Sequence, residues 1–131
     1  MKIIPVAVAL ASALTWTSAV AADLHPVKPL AGYQCMVVDT PESMDMDFDH
    51  PVSLHQEPSS NSPTFAPVAE IIAVAEPPET QNGFVKTMNF AFRPGWIETK
   101  WLKPYTAIHP GKTCTPSVMN DGKLGFDFRR R

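Results

Sequence analysis

The amino-acid sequence predicts an all-β fold: a small domain of short strands that carries one disulfide. Fourteen prolines are scattered along the chain. The longest proline-free runs after the N-terminal segment, residues 79–93 and 117–131, are barely long enough for one ordinary helix each. Short extended segments alternate with stretches rich in Pro, Gly, Asn and Ser, which is typical of strands joined by turns. Two cysteines are available for a bridge.

The candidate strands follow one another at close spacing, which favours a small barrel or a sandwich. They are residues 33–38, 51–55, 65–76, 83–90, 95–99 and 123–129. Turn-forming residues separate them, for example at 57–63 and 76–83. In the last segment Leu124, Phe126 and Phe128 alternate with polar residues or glycine. That period of two predicts a strand with one buried face.

Residues 1–22 have the layout of a cleaved signal peptide, with a basic residue, an apolar run and small residues at the end. An N-terminal membrane anchor is the alternative, but the run is short and contains Pro5. No later segment is apolar enough to span a bilayer. We therefore expect a periplasmic or secreted protein whose single domain is residues 23–131.

Charge and cysteine content narrow the partners further. The chain has 11 basic and 13 acidic residues, a balance that favours neither nucleic acid nor an anionic membrane surface as a partner. Export exposes Cys35 and Cys114 to an oxidising compartment, and they are the only cysteines, which predicts a disulfide between them. A reactive or metal-bound thiol is disfavoured because no Cys-x-x-Cys pair or suitably spaced His is present.

The order of signals from Pro51 to Tyr105 resembles the bacterial SH3-like domains of exported envelope proteins. An opening "PVSLH" is followed by the loop "EPSSNSP", the segment "EIIAVAE", a turn into "NGFVKT", and the ending "GWIETKWLKPY". The resemblance implies a small SH3-like barrel, with its core at about residues 51–105, that ends on a turn of 3₁₀-helix. The flanks, residues 30–44 and 106–131, are then extra strands that the disulfide ties together beside the barrel.

The same resemblance assigns roles to the aromatic residues of this region. In the family pattern Trp96, directly after Gly95, packs into the barrel core. Trp101 and Tyr105 belong to the turn that follows, where side chains reach the surface. With Phe84 opposite, these two residues are the candidate ligand-binding groove.

The acidic stretch "DMDFDHPVSLHQ" places Asp45, Asp47 and Asp49 at the first ligand positions of a calcium loop. His50 stands where that loop needs Gly for its sharp turn, and a Gln stands where it needs a bidentate Glu. We therefore expect no metal site. An exposed acidic loop whose Met46 and Phe48 turn inward explains the alternation.

Charge is distributed unevenly along the chain. Residues 39–57 contain acidic residues and no Lys or Arg, whereas residues 112–131 are mainly basic. The disulfide joins segments beside these two regions. They therefore either lie close enough to attract each other or form two separately solvated surfaces.

No motif for catalysis is present: there is no nucleophile elbow, no glycine-rich phosphate loop and no free thiol once the disulfide forms. We expect no enzyme activity and no cofactor. The resemblance implies a non-catalytic envelope binding module whose aromatic groove recognises a cell-wall peptide of peptidoglycan or another extended peptide. The alternative is a structural or adaptor protein of the periplasm that binds an envelope protein through a strand edge. An unpaired edge at residues 123–129 also suits dimerisation.

Overall fold

A computed structural model describes residues 23–131 of the chain. The predicted signal peptide, residues 1–22, lies outside the described residues. Two helices, a 3₁₀ turn at Thr99–Trp101 and eleven strands make up the described part. The helices are α1 (Glu42–Asp45) and α2 (Tyr105–Ile108). The strands are β1 (Pro26–Pro29), β2 (Tyr33–Val38), β3 (Ser53–His55), β4 (Thr64–Pro67), β5 (Ile71–Ala75), β6 (Thr80–Gln81), β7 (Phe84–Met88), β8 (Pro94–Glu98), β9 (Leu102–Pro104), β10 (Lys112–Met119) and β11 (Leu124–Arg130).

The strands of the described chain form three antiparallel sheets. Their strand orders are β1-β10-β11, β5-β2-β9 and β4-β3-β8-β7-β6. None of the three closes on itself. The all-β class is confirmed, and the structure contains sheets rather than a closed barrel.

The main core lies where the five-stranded sheet packs against β5 and β2. Its five buried side chains are between 1% and 4% exposed, and they are Leu54, Ile72, Val74, Val85 and Ile97. They come from β3, β5, β7 and β8, so residues far apart in the chain meet in one apolar cluster. Half-buried side chains from β2 and β9 extend the cluster.

Trp96 does not belong to this core, so its assignment to the barrel interior is wrong. Neighbouring side chains of a strand point to opposite faces, and in β8 Gly95 and Ile97 take the buried positions while Trp96 is half-buried. A Cβ at Gly95 would lie 2.8 Å from the Phe65 ring and 3.0 Å from Leu54 Cβ. Gly95 therefore lies on the inward face, close against Phe65 and Leu54, and Trp96 lies on the opposite face.

The predicted disulfide between Cys35 of β2 and Cys114 of β10 is present. It joins the β5-β2-β9 sheet to the β1-β10-β11 sheet, and Val37 and Tyr105 are buried beside it. Closing a loop of 79 positions stabilises a domain by roughly 4 to 5 kcal/mol in the chain-entropy description. This covalent link holds the β1-β10-β11 sheet against the rest of the domain.

The expected buried face of the last strand is only partly realised. Along β11, Leu124 is 4% exposed, Phe126 is half-buried and Phe128 is 51% exposed. The strand therefore extends beyond the core that covers its first residues. Its aromatic C-terminal half remains open to solvent.

The acidic loop also differs from expectation. Met46 and Phe48 do not turn inward, since they are 65% and 80% exposed. α1 occupies only four residues, none of them buried, and the loop after it stays at the surface.

Candidate functional site

Phe84, the first of the three predicted groove residues, is 5% exposed at the start of β7. Its ring meets the His55 ring edge-on, with centroids 5.4 Å apart. The proline- and serine-rich loop lies nearby, where the Asn82 side chain donates to the Pro58 carbonyl at 3.4 Å. A shallow polar depression borders Phe84, and neither of the other two predicted residues lines it.

Trp101 and Tyr105 do not line this depression. Trp101 ends the 3₁₀ turn, is half-buried, and carries the Lys100 ammonium 4.7 Å from its ring centroid. Tyr105 begins α2, is 7% exposed and packs in the cluster around the disulfide. The structure thus places Phe84 in the five-stranded sheet and Tyr105 beside the disulfide, and among the described residues no aromatic contact or depression joins all three.

An aromatic row does form, but along β11. The Phe128 ring stacks on the Tyr105 ring with centroids 5.7 Å apart and an interplanar angle of 29°. Phe126 follows at 6.2 Å from Phe128, and the His109 ring lies 4.7 Å from Tyr105. Of these residues only Tyr105 was a candidate from the sequence. The alternation in "LGFDFR" did place both phenylalanines on one face, but it carried no information on how far the core reaches.

The backbone of β11 is open on its outer side. Among the described strands β11 pairs with β10 alone. The Leu124 N–H points away from β10, since it donates to the Phe90 carbonyl at 2.8 Å. The register is regular from Leu124 to Arg130, so the same orientation recurs at every second residue. Phe126, Phe128 and Arg130 therefore turn their N–H and C=O groups outward, and no described residue pairs with those groups.

Basic side chains flank this edge. Arg129 Nη2 lies 3.2 Å from Asp127 Oδ2, so this arginine is neutralised within the strand. Arg130 and Arg131 form no ion pair with a carboxylate of residues 23–131. The end of the edge therefore carries a net positive charge beside an exposed phenylalanine.

Within residues 23–131 no group of three His, Cys, Asp or Glu side chains is placed to hold a metal. The buried hydroxyl of Thr87 donates to the Ala73 carbonyl at 2.7 Å and joins β7 to β5. This buried polar group has a structural partner and plays no evident chemical role.

Comparisons with protein-family models, with curated proteins and with solved structures found no match to the chain. None of the helices in residues 23–131 has the length and apolar character needed to cross a membrane. Function is therefore argued from the site, since a fold alone does not determine it.

Proposed function

We propose that this chain is a non-catalytic binding protein of the bacterial envelope that takes an extended peptide segment of another envelope protein onto the outer edge of β11. The observation that carries the proposal is the open edge of β11, whose outward backbone groups at Phe126, Phe128 and Arg130 lie beside the exposed Phe128 ring. Export directed by residues 1–22 belongs to the same proposal.

Strand addition suits this edge for a physical reason. An unpaired strand edge presents a row of donors and acceptors that an extended chain satisfies without rearranging the sheet. Each backbone bond contributes about 1 kcal/mol net. Side chains on the incoming strand then supply selectivity: apolar residues face the aromatic row, and acidic residues meet the positive charge at Arg130 and Arg131.

Rigid support favours β11 over other edges. The Tyr105 ring stacks against the Phe128 ring. The disulfide anchors β10, which is the strand that pairs with β11 among the described residues. A preformed edge loses little conformational freedom when a peptide binds. The proposal includes an SH3-like architecture for the two sheets that surround the main core, an architecture supported by the sequence resemblance and by the 3₁₀ turn at Thr99–Trp101.

The experiment uses a labelled peptide of alternating Val and Glu and measures fluorescence anisotropy against residues 23–131. The matched variants are Arg130→Ala and Arg130→Pro: both lose the guanidinium group, but only proline also removes the outward N–H. We expect the proline variant to bind at least about fivefold more weakly than the alanine variant, because one backbone bond of about 1 kcal/mol is lost.

Equal affinities for the two variants, with both folded by circular dichroism, would contradict strand addition. Sedimentation with purified peptidoglycan decides the class of ligand. Retention on peptidoglycan that Arg130→Pro abolishes would assign the edge to cell-wall stem peptides instead of an envelope protein.

A further inference from the structure

A second surface on the molecule has the opposite charge and lies away from β11. A cleft of about 540 Å³ opens between the end of β2, the α1 region and the connection from β4 to β5. Exposed acidic residues, mostly from residues 39–47, form the rim of the cleft. Ile108 of α2 also lines it. None of the residues placed at the β11 edge lines this cleft.

The floor of the cleft is apolar. Four valines line it, namely Val37, Val38, Val52 and Val68. Phe48 also lines the cleft, and its side chain is 80% exposed. A large aromatic ring held in solvent beside a valine floor is apolar surface that a partner can cover.

The charges around this floor are all of one sign. Asp39, Asp45, Asp47 and Glu70 line the cleft, and no Lys or Arg is among the lining residues. Lys103 pairs with Asp39 from outside. The remaining carboxylates have weaker partners, since Asp45 accepts from the Thr40 hydroxyl and Asp47 lies 3.2 Å from the exposed His50 ring.

The basic C-terminal segment does not neutralise this rim. Among the described residues no ion pair joins residues 39–57 to residues 112–131. The two segments therefore do not neutralise each other through direct ion pairs. A concave site lined by one sign of charge concentrates ligands of the opposite sign.

We propose that this cleft binds a partner peptide in which Lys or Arg alternates with apolar residues. The aliphatic stems of such side chains pack on the valine floor while their charged heads reach the rim carboxylates. A guanidinium or ammonium over the exposed Phe48 ring adds a cation–π contact. The same peptide is repelled by the basic end of β11, so the protein has two peptide sites of opposite charge preference.

The probe is a labelled peptide of alternating Leu and Lys, and anisotropy reports its binding. The cleft variant is Asp45→Asn with Asp47→Asn and Glu70→Gln, since the amides keep the acceptors. The control variant changes the net charge equally at distant positions: Asp23→Asn, Glu76→Gln and Asp121→Asn. We expect the cleft variant to bind about tenfold more weakly, since three exposed charge pairs are lost, and the control to bind within twofold of the unmodified chain.

A second variant leaves every charge unchanged and places a larger side chain among the valines that line the cleft. Val52→Phe fills the cleft, and we expect it to bind the basic peptide at least about tenfold more weakly while circular dichroism stays unchanged. Equal loss in the cleft and control variants would overturn the proposal, as would full binding by Val52→Phe. Arg130→Pro should retain the basic peptide, which separates this proposal from that of the β11 edge.

A second copy of the chain is the competing occupant, because its basic C-terminal segment has the right charge. Sedimentation velocity of the chain without peptide distinguishes a partner peptide from a second copy of the chain as the occupant of the cleft. A monomer supports the proposal. Self-association that the cleft variant dissolves would overturn it in favour of a second copy.

Discussion

Two single variants, Ile97→Ala and Trp96→Ala, test which side chains of β8 face the core. Ile97 is 1% exposed in the main cluster, so Ile97→Ala removes a buried side chain and leaves a cavity. Such changes cost about 2 to 5 kcal/mol, and the near-complete burial places Ile97 in the upper half of that range. Trp96 is half-buried on the other face, opposite Lys86 and His55. Partial loss of its contacts costs about 1 to 2 kcal/mol.

The assay is urea denaturation of residues 23–131, followed by circular dichroism, for the unmodified chain and both variants. We expect Ile97→Ala to lower the free energy of unfolding by at least about 1 kcal/mol more than Trp96→Ala does. Pro94 is an exposed residue of the same strand. The control variant Pro94→Ala should therefore change the free energy of unfolding little. A greater loss from Trp96→Ala than from Ile97→Ala would refute the inward and outward assignment of β8.

Three further outcomes are expected. Non-reduced protein trapped with a thiol reagent should show no labelled Cys35 or Cys114, and reduction should lower the unfolding free energy by roughly 4 to 5 kcal/mol; two labelled thiols in oxidised protein would contradict the bridge. Gly95→Ala should destabilise the domain by about 1 to 3 kcal/mol, since the new methyl group meets the Phe65 ring at 2.8 Å, whereas an unchanged denaturation midpoint would mean that the ring moves freely. Calorimetric titration with calcium or zinc should give no heat of binding, and micromolar affinity lost in Asp47→Ala would establish a metal site.

The sequence predicts strands well where turn residues bracket an extended run. The segment 33–38 coincides with β2, and the segments 95–99 and 83–90 contain most of β8 and β7. The segment 65–76 divides into β4 and β5, which join different sheets. Pro67 ends the first of them, and the three residues that follow make the connection.

Two strands, β1 and β10, fall outside the candidate strand segments, although the family resemblance predicts extra strands within residues 106–131. β1 begins and ends with proline and β10 contains Pro116, and proline is uncommon inside strands. β1 is an edge strand, and Pro116 lies where the β1 pairing ends, with its carbonyl accepting the Leu30 N–H. The backbone N–H that proline lacks would have no partner among the described strands at these positions, so its absence costs little stability. This is evident only from the order of strands in the folded sheet.

The site depends on contacts that a local pattern does not contain. Tyr105 lies beside β11 because the disulfide brings β2 and β10 together, so its stacking partner is Phe128 and not Phe84. Phe48 is likewise 80% exposed, although local alternation predicts an inward position for it. Local alternation identifies a face, whereas sheet order and burial decide what covers that face.

The most direct test of the central claim is amide hydrogen exchange, resolved by residue, with and without the Val–Glu peptide. We expect exchange to slow on binding at Phe126, Phe128 and Arg130, whose N–H groups point outward. The alternate amides at Asp127 and Arg129 are already protected by β10 and should change little. Unchanged exchange at the three outward amides, with new protection around Phe84 or Trp101, would contradict binding at the β11 edge.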